Sequence, residues 1–262
     1  MEISVFYHHI LEAANQEQCA EEEIFEKIKG AGITAVEIDR DGISDIDRFC
    51  TILKRYDFSV SSIYGFYDFP KSEDLEKCEK HIRLAKAVKA DKIMVVPGFY
   101  SEDKEMLKKI QLKNMIERTN KLCEIAEEND LKVTIEDFDD EKSPLCSIGG
   151  MADFLNEIPA LYVTLDTGNF IIKKEDEFKA YEVLKNKIIH VHCKDRAYDE
   201  AGSICASPVG DGFIKMADIL YGLQRSGYNG KLTIEHFGAE NYLEFMLESA
   251  SWINKKIKEL VL

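Results

Sequence analysis

The chain has 262 residues, 45% of them hydrophobic, which is enough to bury one sizeable core as a single domain spanning 1–262. Its formal net charge of −15, from 34 Lys and Arg against 49 Asp and Glu, argues against a general grip on nucleic-acid phosphates or anionic membranes. The seven cysteines contain no C-x-x-C pair and read as reduced thiols, the start lacks the basic and long apolar regions of a signal peptide, and no segment is long and apolar enough to span a bilayer, so a cytoplasmic protein is expected.

In chain order, Ile3–Tyr7 reads as a first strand that His8 and His9 continue, as polar fill or as function. The acidic Gln16–Lys29 segment, with Ile24, Phe25 and Ile28 at helical spacing, is predicted as the first helix, closed by Gly30 and Gly32. Thr34–Ile38 is the second strand and Ile46–Tyr56 a helix. Ser59–Tyr64 is the third strand, Ser72–Lys89 a long helix with Ser72 as N-cap and His81 on its surface, and Lys92–Val96 a strand stopped by Pro97-Gly98. Lys104–Asn129 carries an apolar stripe and reads as helix. Strands Val133–Glu136, Val163–Asp166, Ile188–Cys193 and Leu232–Glu235 follow, with helices at Gly150–Glu157, Glu175–Leu184, Lys215–Ser226 and Tyr242–Leu260. Alternating β and α elements, with strands too apolar for one wet face, predict a parallel sheet covered by helices. Eight strand candidates favour a closed (β/α)8 TIM barrel; an open doubly wound sheet lacks its Gly-x-Gly-x-x-Gly after strand 1. Arg196–Ile214 shows no clear element, and a loop of that length could close over a ligand.

The last four strands share a grammar. Thr134-Ile135-Glu136, Thr164-Leu165-Asp166 and Thr233-Ile234-Glu235 each place a Thr and an acid two residues apart on one face, and His190 and His192 share a face of the strand between them. Asp166 follows Glu136 by 30 residues, His192 follows by 26 and Glu235 by 43, against roughly 31 per unit in a closed barrel of eight. Closure would gather these strand ends at the C-terminal face. Three carboxylates and one imidazole suit one divalent cation, Mn²⁺, Mg²⁺ or Co²⁺ before Zn²⁺. Such an ion could hold two vicinal oxygens of a polyol or keto sugar and acidify the hydrogen beside the carbonyl. Singly, each acid could equally be a helix cap or turn former. His190, two residues deeper than His192, reads as a hydrogen-bonded neighbour of the ligands. Lys194 faces the same way and could hold a substrate hydroxyl or pair with Asp137, Asp139 or Asp195. Glu37, Tyr64, Phe66, Tyr67 and Phe99 are candidate pocket walls, and His236, beside Glu235, is polar fill or function.

Nearly the whole chain resembles the xylose-isomerase-like TIM-barrel superfamily of sugar phosphate isomerases and epimerases. The resembling pieces are Thr134-Ile135-Glu136, Leu165–Asn169, His190–Asp195, Pro208–Gly212, and Ser226–Gly230 leading into Thr233–Glu235. The resemblance implies that Glu136, Asp166, His192 and Glu235 bind one divalent cation, commonly Mn²⁺ in relatives. It also implies that Glu136 and Glu235 act as paired acid/bases, as the matching glutamates do in the ketose 3-epimerases. Those epimerases carry a substrate-binding His where this chain has Asn169, and an Arg in a different register from Lys194 and Arg196. Asn169, His190, Lys194, Arg196 and Glu37 are the substrate-binding candidates. Inosose dehydratases, hydroxypyruvate isomerases and dehydroshikimate dehydratases use the same platform. The endonuclease IV branch needs extra His ligands where this chain has Tyr64-Gly65 and Pro97-Gly98. The expectation is an isomerase or epimerase of a small carbohydrate or cyclitol working through an enediolate, with a dehydratase or a non-catalytic sugar-binding barrel as alternatives, and a homo-oligomer left open.

Overall fold

Alternation of inward and outward side chains along eight short strands lets their edges pair all the way round. The strands are β1 (Glu2–Phe6), β2 (Ile33–Asp39), β3 (Ser59–Phe66), β4 (Lys92–Val96), β5 (Lys132–Glu136), β6 (Tyr162–Asp166) and β7 (Ile188–Cys193), with the last, β10 (Lys231–Ile234), following a hairpin. All pair in parallel, and the order β1-β10-β7-β6-β5-β4-β3-β2 closes a barrel. The computed structural model describes residues 1–101 and 104–261; residues 102, 103 and 262 of the predicted 1–262 domain lie outside the described residues. The result is a (β/α)8 barrel, as the alternation of elements predicts.

The outer layer runs α1 (Tyr7–Glu17), α2 (Glu21–Gly30), α3 (Ile46–Tyr56), α4 (Leu75–Val88), α5 (Glu105–Glu127), α6 (Ile148–Glu157), α7 (Glu177–Leu184), α8 (Met216–Arg225) and α9 (Tyr242–Val261). Helix α3 shows why these segments coil: Phe49, Ile52, Leu53 and Tyr56 form one buried stripe, the Asp45 side chain accepts from Arg48 N at 2.9 Å, and Lys54 and Arg55 sit on the negative end of the dipole. Burying a side chain such as Phe49 contributes about 1.5–3 kcal/mol.

Several expectations change. The predicted Gln16–Lys29 helix is two helices, broken where Gln18 turns left-handed at φ 53°. His8 and His9 lie on α1, not on strand 1, because Tyr7, Ile10, Ala13 and Ala14 supply a helical stripe that starts straight after Phe6. Helix α4 begins after Asp74, and Ser72 instead accepts a bond from Asp74 N in the preceding turn. His81 is buried, not on the surface: Nε2–H donates to Ile63 O at 3.0 Å and Nδ1 accepts from Tyr67 Oη at 2.9 Å. Arg196–Ile214 is not a bare loop. It contains the antiparallel hairpin β8 (Asp195–Tyr198) and β9 (Ile204–Ser207), tied down by one carboxylate: Asp195 accepts from the backbone N–H groups of Arg196, Gly210, Gly212 and Ile214 at 2.8–3.2 Å. Gly212 is required there, since a Cβ would lie 2.1 Å from Asp195 Oδ1. All seven cysteines are free thiols.

Inside the barrel the Thr residues of the repeated motif line a polar seam. Thr164 Oγ1 donates to Thr134 Oγ1 at 2.8 Å, Thr233 Oγ1 lies 3.0 Å from His190 Nε2, and Ser4 and Ser61 share a 2.7 Å bond. Buried hydroxyls paired in this way cost little, so the interior can be polar beneath the site. Register completes the placement: Asp166 of β6 lies opposite His192 of β7, and Thr233 of β10 is opposite the same histidine.

Candidate metal centre

One pleat above the Thr seam, Glu136, Asp166, His192 and Glu235 converge at the C-terminal ends of β5, β6, β7 and β10. All four are buried, and one donor atom from each lies within 4.8 Å of the others. His192 Nδ1 meets Glu136 Oε1, and Glu235 Oε2 is 3.1 Å from the same nitrogen. Asp166 Oδ1 is occupied by Gly168 N at 2.7 Å, which caps the turn, whereas Asp166 Oδ2 has no hydrogen-bond partner. Lys194 reaches into the set, with Nζ 2.7 Å from Glu235 Oε1, 3.5 Å from Asp166 Oδ2 and 2.9 Å from Asn169 Oδ1. Asp137, whose Oδ1 accepts from Asp166 N at 3.0 Å, holds the ligand strand from behind. The sequence offers Asp137 only as an ion-pair partner for Lys194, and its place directly after Glu136 is the signal for this second role.

The electrostatics are those of a site short of positive charge. Burial, then the charges of Glu235 and Glu136, push Asp166 well above the usual carboxylate range against the pull of Lys194. Burial, then the charges of Asp166 and Glu136, raise Asp137 as well. Glu136 is raised chiefly by burial, against the pull of His192. Glu235 goes the other way: burial opposes its charge, but Lys194 and His192 hold it below its ordinary value. His192 is raised by Glu37 and Glu136 in spite of its burial. A buried carboxylate oxygen without a hydrogen bond, within a set of three hard oxygen donors and one imidazole, fits a divalent cation, which would add to the single ammonium of Lys194 the charge the cluster lacks.

Above the cluster opens a cavity of about 330 Å³, with Glu136, Glu235, Asn169, Lys194, Asp39 and Asp139 as its polar groups and Phe6, Tyr64, Phe66, Phe138 and Phe237 among its apolar walls. A larger groove of about 640 Å³ at the opposite end of the barrel, around Lys92, Lys132 and Lys231, holds none of the clustered acids. The chemistry therefore sits in the smaller cavity, at the barrel end expected to carry it. Of the predicted residues, Asn169 and Lys194 line this cavity. Arg196 does not; its Nη2 donates to Asp139 Oδ2 at 3.1 Å. Glu37 and His190 are not pocket walls but lie beneath the cluster, fully buried, because the pleat points both into the barrel axis below the strand ends. Tyr67 turns away to pack on Arg40 and His81, and Phe99 stands behind Phe138. The walls Phe6, Phe237 and Asp39 went unread; each stands at or just beyond a strand's C-terminal end, which was the available signal.

A closed parallel barrel with a buried acid and imidazole cluster under a mixed polar and apolar cavity supports a metal-dependent enzymatic function. The chain belongs to the xylose isomerase-like TIM barrel family, whose model matches residues 25–256. No curated protein matches it in sequence. Among solved structures, it is similar to the probable 3-DHS dehydratase AsbF from Bacillus anthracis, at 17% identity and TM-score 0.79, covering 97% of this chain and 99% of that one. It is also similar to a D-tagatose 3-epimerase-like protein (20%, TM-score 0.77, 100% and 98%) and to the 3-keto-D-glucoside 4-epimerase YcjR from E. coli (16%, TM-score 0.72, 97% and 98%). At these identities the likeness concerns the fold. Among the described residues no helix is long and apolar enough to cross a membrane.

Proposed function

We propose that the protein is a divalent-metal-dependent isomerase or epimerase of a small keto sugar or polyol, working in the cytoplasm on a free small molecule. Glu136, Asp166, His192 and Glu235 would hold the cation, Mn²⁺ first. When bound, such an ion polarises a substrate carbonyl and acidifies the neighbouring C–H. The observation that carries the reading is the pair of glutamates: Glu136 and Glu235 both line the cavity and both contact His192 Nδ1. Two carboxylates beside one reacting carbon can divide acid and base roles. One takes the proton from the carbon beside the carbonyl, and the C–H electron pair becomes the C=C of an enediolate. The other returns a proton to the opposite face. Asn169 and Lys194 present an amide and an ammonium to substrate oxygens, and the aromatic walls cover the apolar face of the ring or chain.

A dehydratase is the second reading, favoured by the Lys194 ammonium at the cavity wall, which could protonate a departing hydroxyl from the same enediolate. One experiment separates the readings: a panel of ketoses, inososes and dehydroshikimate incubated with Mn²⁺-loaded protein in deuterated water. Epimerisation should place solvent deuterium at the inverted carbon, whereas a dehydratase product would lack one water. Glu136→Gln and Glu235→Gln should each lower turnover roughly 10²-fold or more while retaining some metal. Full turnover by both variants, or conversion without exchange, would mean that these carboxylates only hold the ion.

A further inference from the structure

Glu37 is a buried carboxylate that the reaction above does not use. The alternation of β2 points it inward, opposite Ser62 of β3, and it is wholly excluded from solvent. A single oxygen, Oε2, accepts from both imidazoles of β7: His190 Nε2 at 2.7 Å and His192 Nε2 at 3.0 Å. The other oxygen, Oε1, has no hydrogen-bond partner. A buried carboxyl group with one oxygen left unsatisfied is costly to maintain. What its position achieves is seen in His192, whose Nε2 faces Glu37 while Nδ1 faces Glu136 and Glu235.

An imidazole that gives Nδ1 to a cation must keep its proton on Nε2, and which nitrogen carries the proton is set by the partner of the other one. We propose that Glu37 is a positioning residue for metal capture: it holds the His192 ring with Nε2 protonated and Nδ1 open toward Glu136, Asp166 and Glu235. His190 is the second donor that fixes Glu37. The inference rests on the ligand set given under Proposed function, and on neither the substrate nor the reaction. Glu37, His190 and His192 are themselves close enough to hold an ion. Ligation there would make His192 bridge two ions through both nitrogens, whereas both Nε2 atoms are already spent on one carboxylate oxygen.

The test uses the full chain and Mn²⁺ alone, without substrate. Glu37→Gln keeps the side chain's size and removes its charge, so the Kd for Mn²⁺ by calorimetry should rise 10- to 100-fold, with one site per chain retained. Circular dichroism of the metal-free variant checks that it is folded. A second measurement needs no variant: long-range ¹H–¹⁵N spectra of the Mg²⁺-loaded wild type should show His192 protonated on Nε2 and not on Nδ1. A folded Glu37→Gln protein with wild-type Kd, an Nδ1-protonated His192, or two ions per wild-type chain would each overturn the inference. A wild type that binds no ion would overturn it together with the ligand set. Failure of every sugar and cyclitol assay beside a weakened Kd would leave it standing and remove only the proposed reaction.

Discussion

Replacing Lys194 by methionine removes an ammonium that lies 2.7 Å from Glu235 Oε1, 3.5 Å from Asp166 Oδ2 and 3.7 Å from Asp139 Oδ2, while keeping most of the buried stem. The side chain is only 8% exposed, so water does little to screen the carboxylates left behind. Deleting one partner of a buried ion pair costs roughly 3–5 kcal/mol. Asp166, already raised by burial and by Glu235 and Glu136, can relieve part of that by taking a proton, which places the expected loss near the lower end, about 3 kcal/mol in the metal-free protein. For a chain of this size that is a fall of roughly 6–12 °C in Tm. A divalent cation would supply positive charge to the same oxygens. The rise in Tm on adding Mn²⁺ should therefore be larger in Lys194→Met than in the wild type, a comparison that thermal unfolding of chelator-treated protein near neutral pH makes directly. A metal-free variant as stable as the wild type, or equal metal-induced rises, would refute the reading of Lys194 as counter-charge to the ligand set.

Three further outcomes are expected. Burial holds His81 neutral, lowering its pKa from the ordinary 6.5 to about 3; the unfolded chain binds the proton first, so its share of stability is present above pH 6.5 and is lost as pH falls from there toward 3. His81→Gln should flatten the decline in urea-unfolding stability across that window, and an unchanged slope would show that His81 does not contribute to it. Gly212→Ala forces a Cβ to within 2.4 Å of Arg196 O as well as onto Asp195, so stability should drop by about 1–3 kcal/mol, and protease cleavage within 198–204 should quicken as the hairpin loosens. Asp39 and Asp139 line the cavity beside Glu136 and Glu235, so a neutral sugar should give a higher kcat/KM than its phosphate, and the reverse ranking in a steady-state assay would contradict this.

Much of the candidate site was legible without coordinates because its signals are local. The period of two in a strand puts His190 and His192 on one face and each Thr on the same face as the acid two residues on, and the near-constant unit length spaces Glu136, Asp166 and His192 as successive strand ends. Covalent geometry and chain length settle those features, and the barrel brings the four side chains within 4.8 Å. What lay beyond the sequence depends on packing across the barrel. Glu37 and His190 are 153 residues apart, and nothing in either segment says that closure will set β2 facing β7 so that one carboxylate oxygen serves two imidazoles. His81 looked like a surface residue on a helix of charged neighbours until Tyr67 and the Ile63 carbonyl, from β3 and the turn after it, supplied both its partners. The hairpin was hidden for the same reason: the residues between Arg196 and Ile214 have little periodicity of their own, and their conformation is set by Asp195 drawing the distant backbone N–H groups of Gly210, Gly212 and Ile214, with that of neighbouring Arg196, onto one buried carboxylate. Periodicity determined which residues point toward the axis, and tertiary closure decided which of them meet, because a hydrogen bond or ion pair needs two partners and only the fold chooses the second.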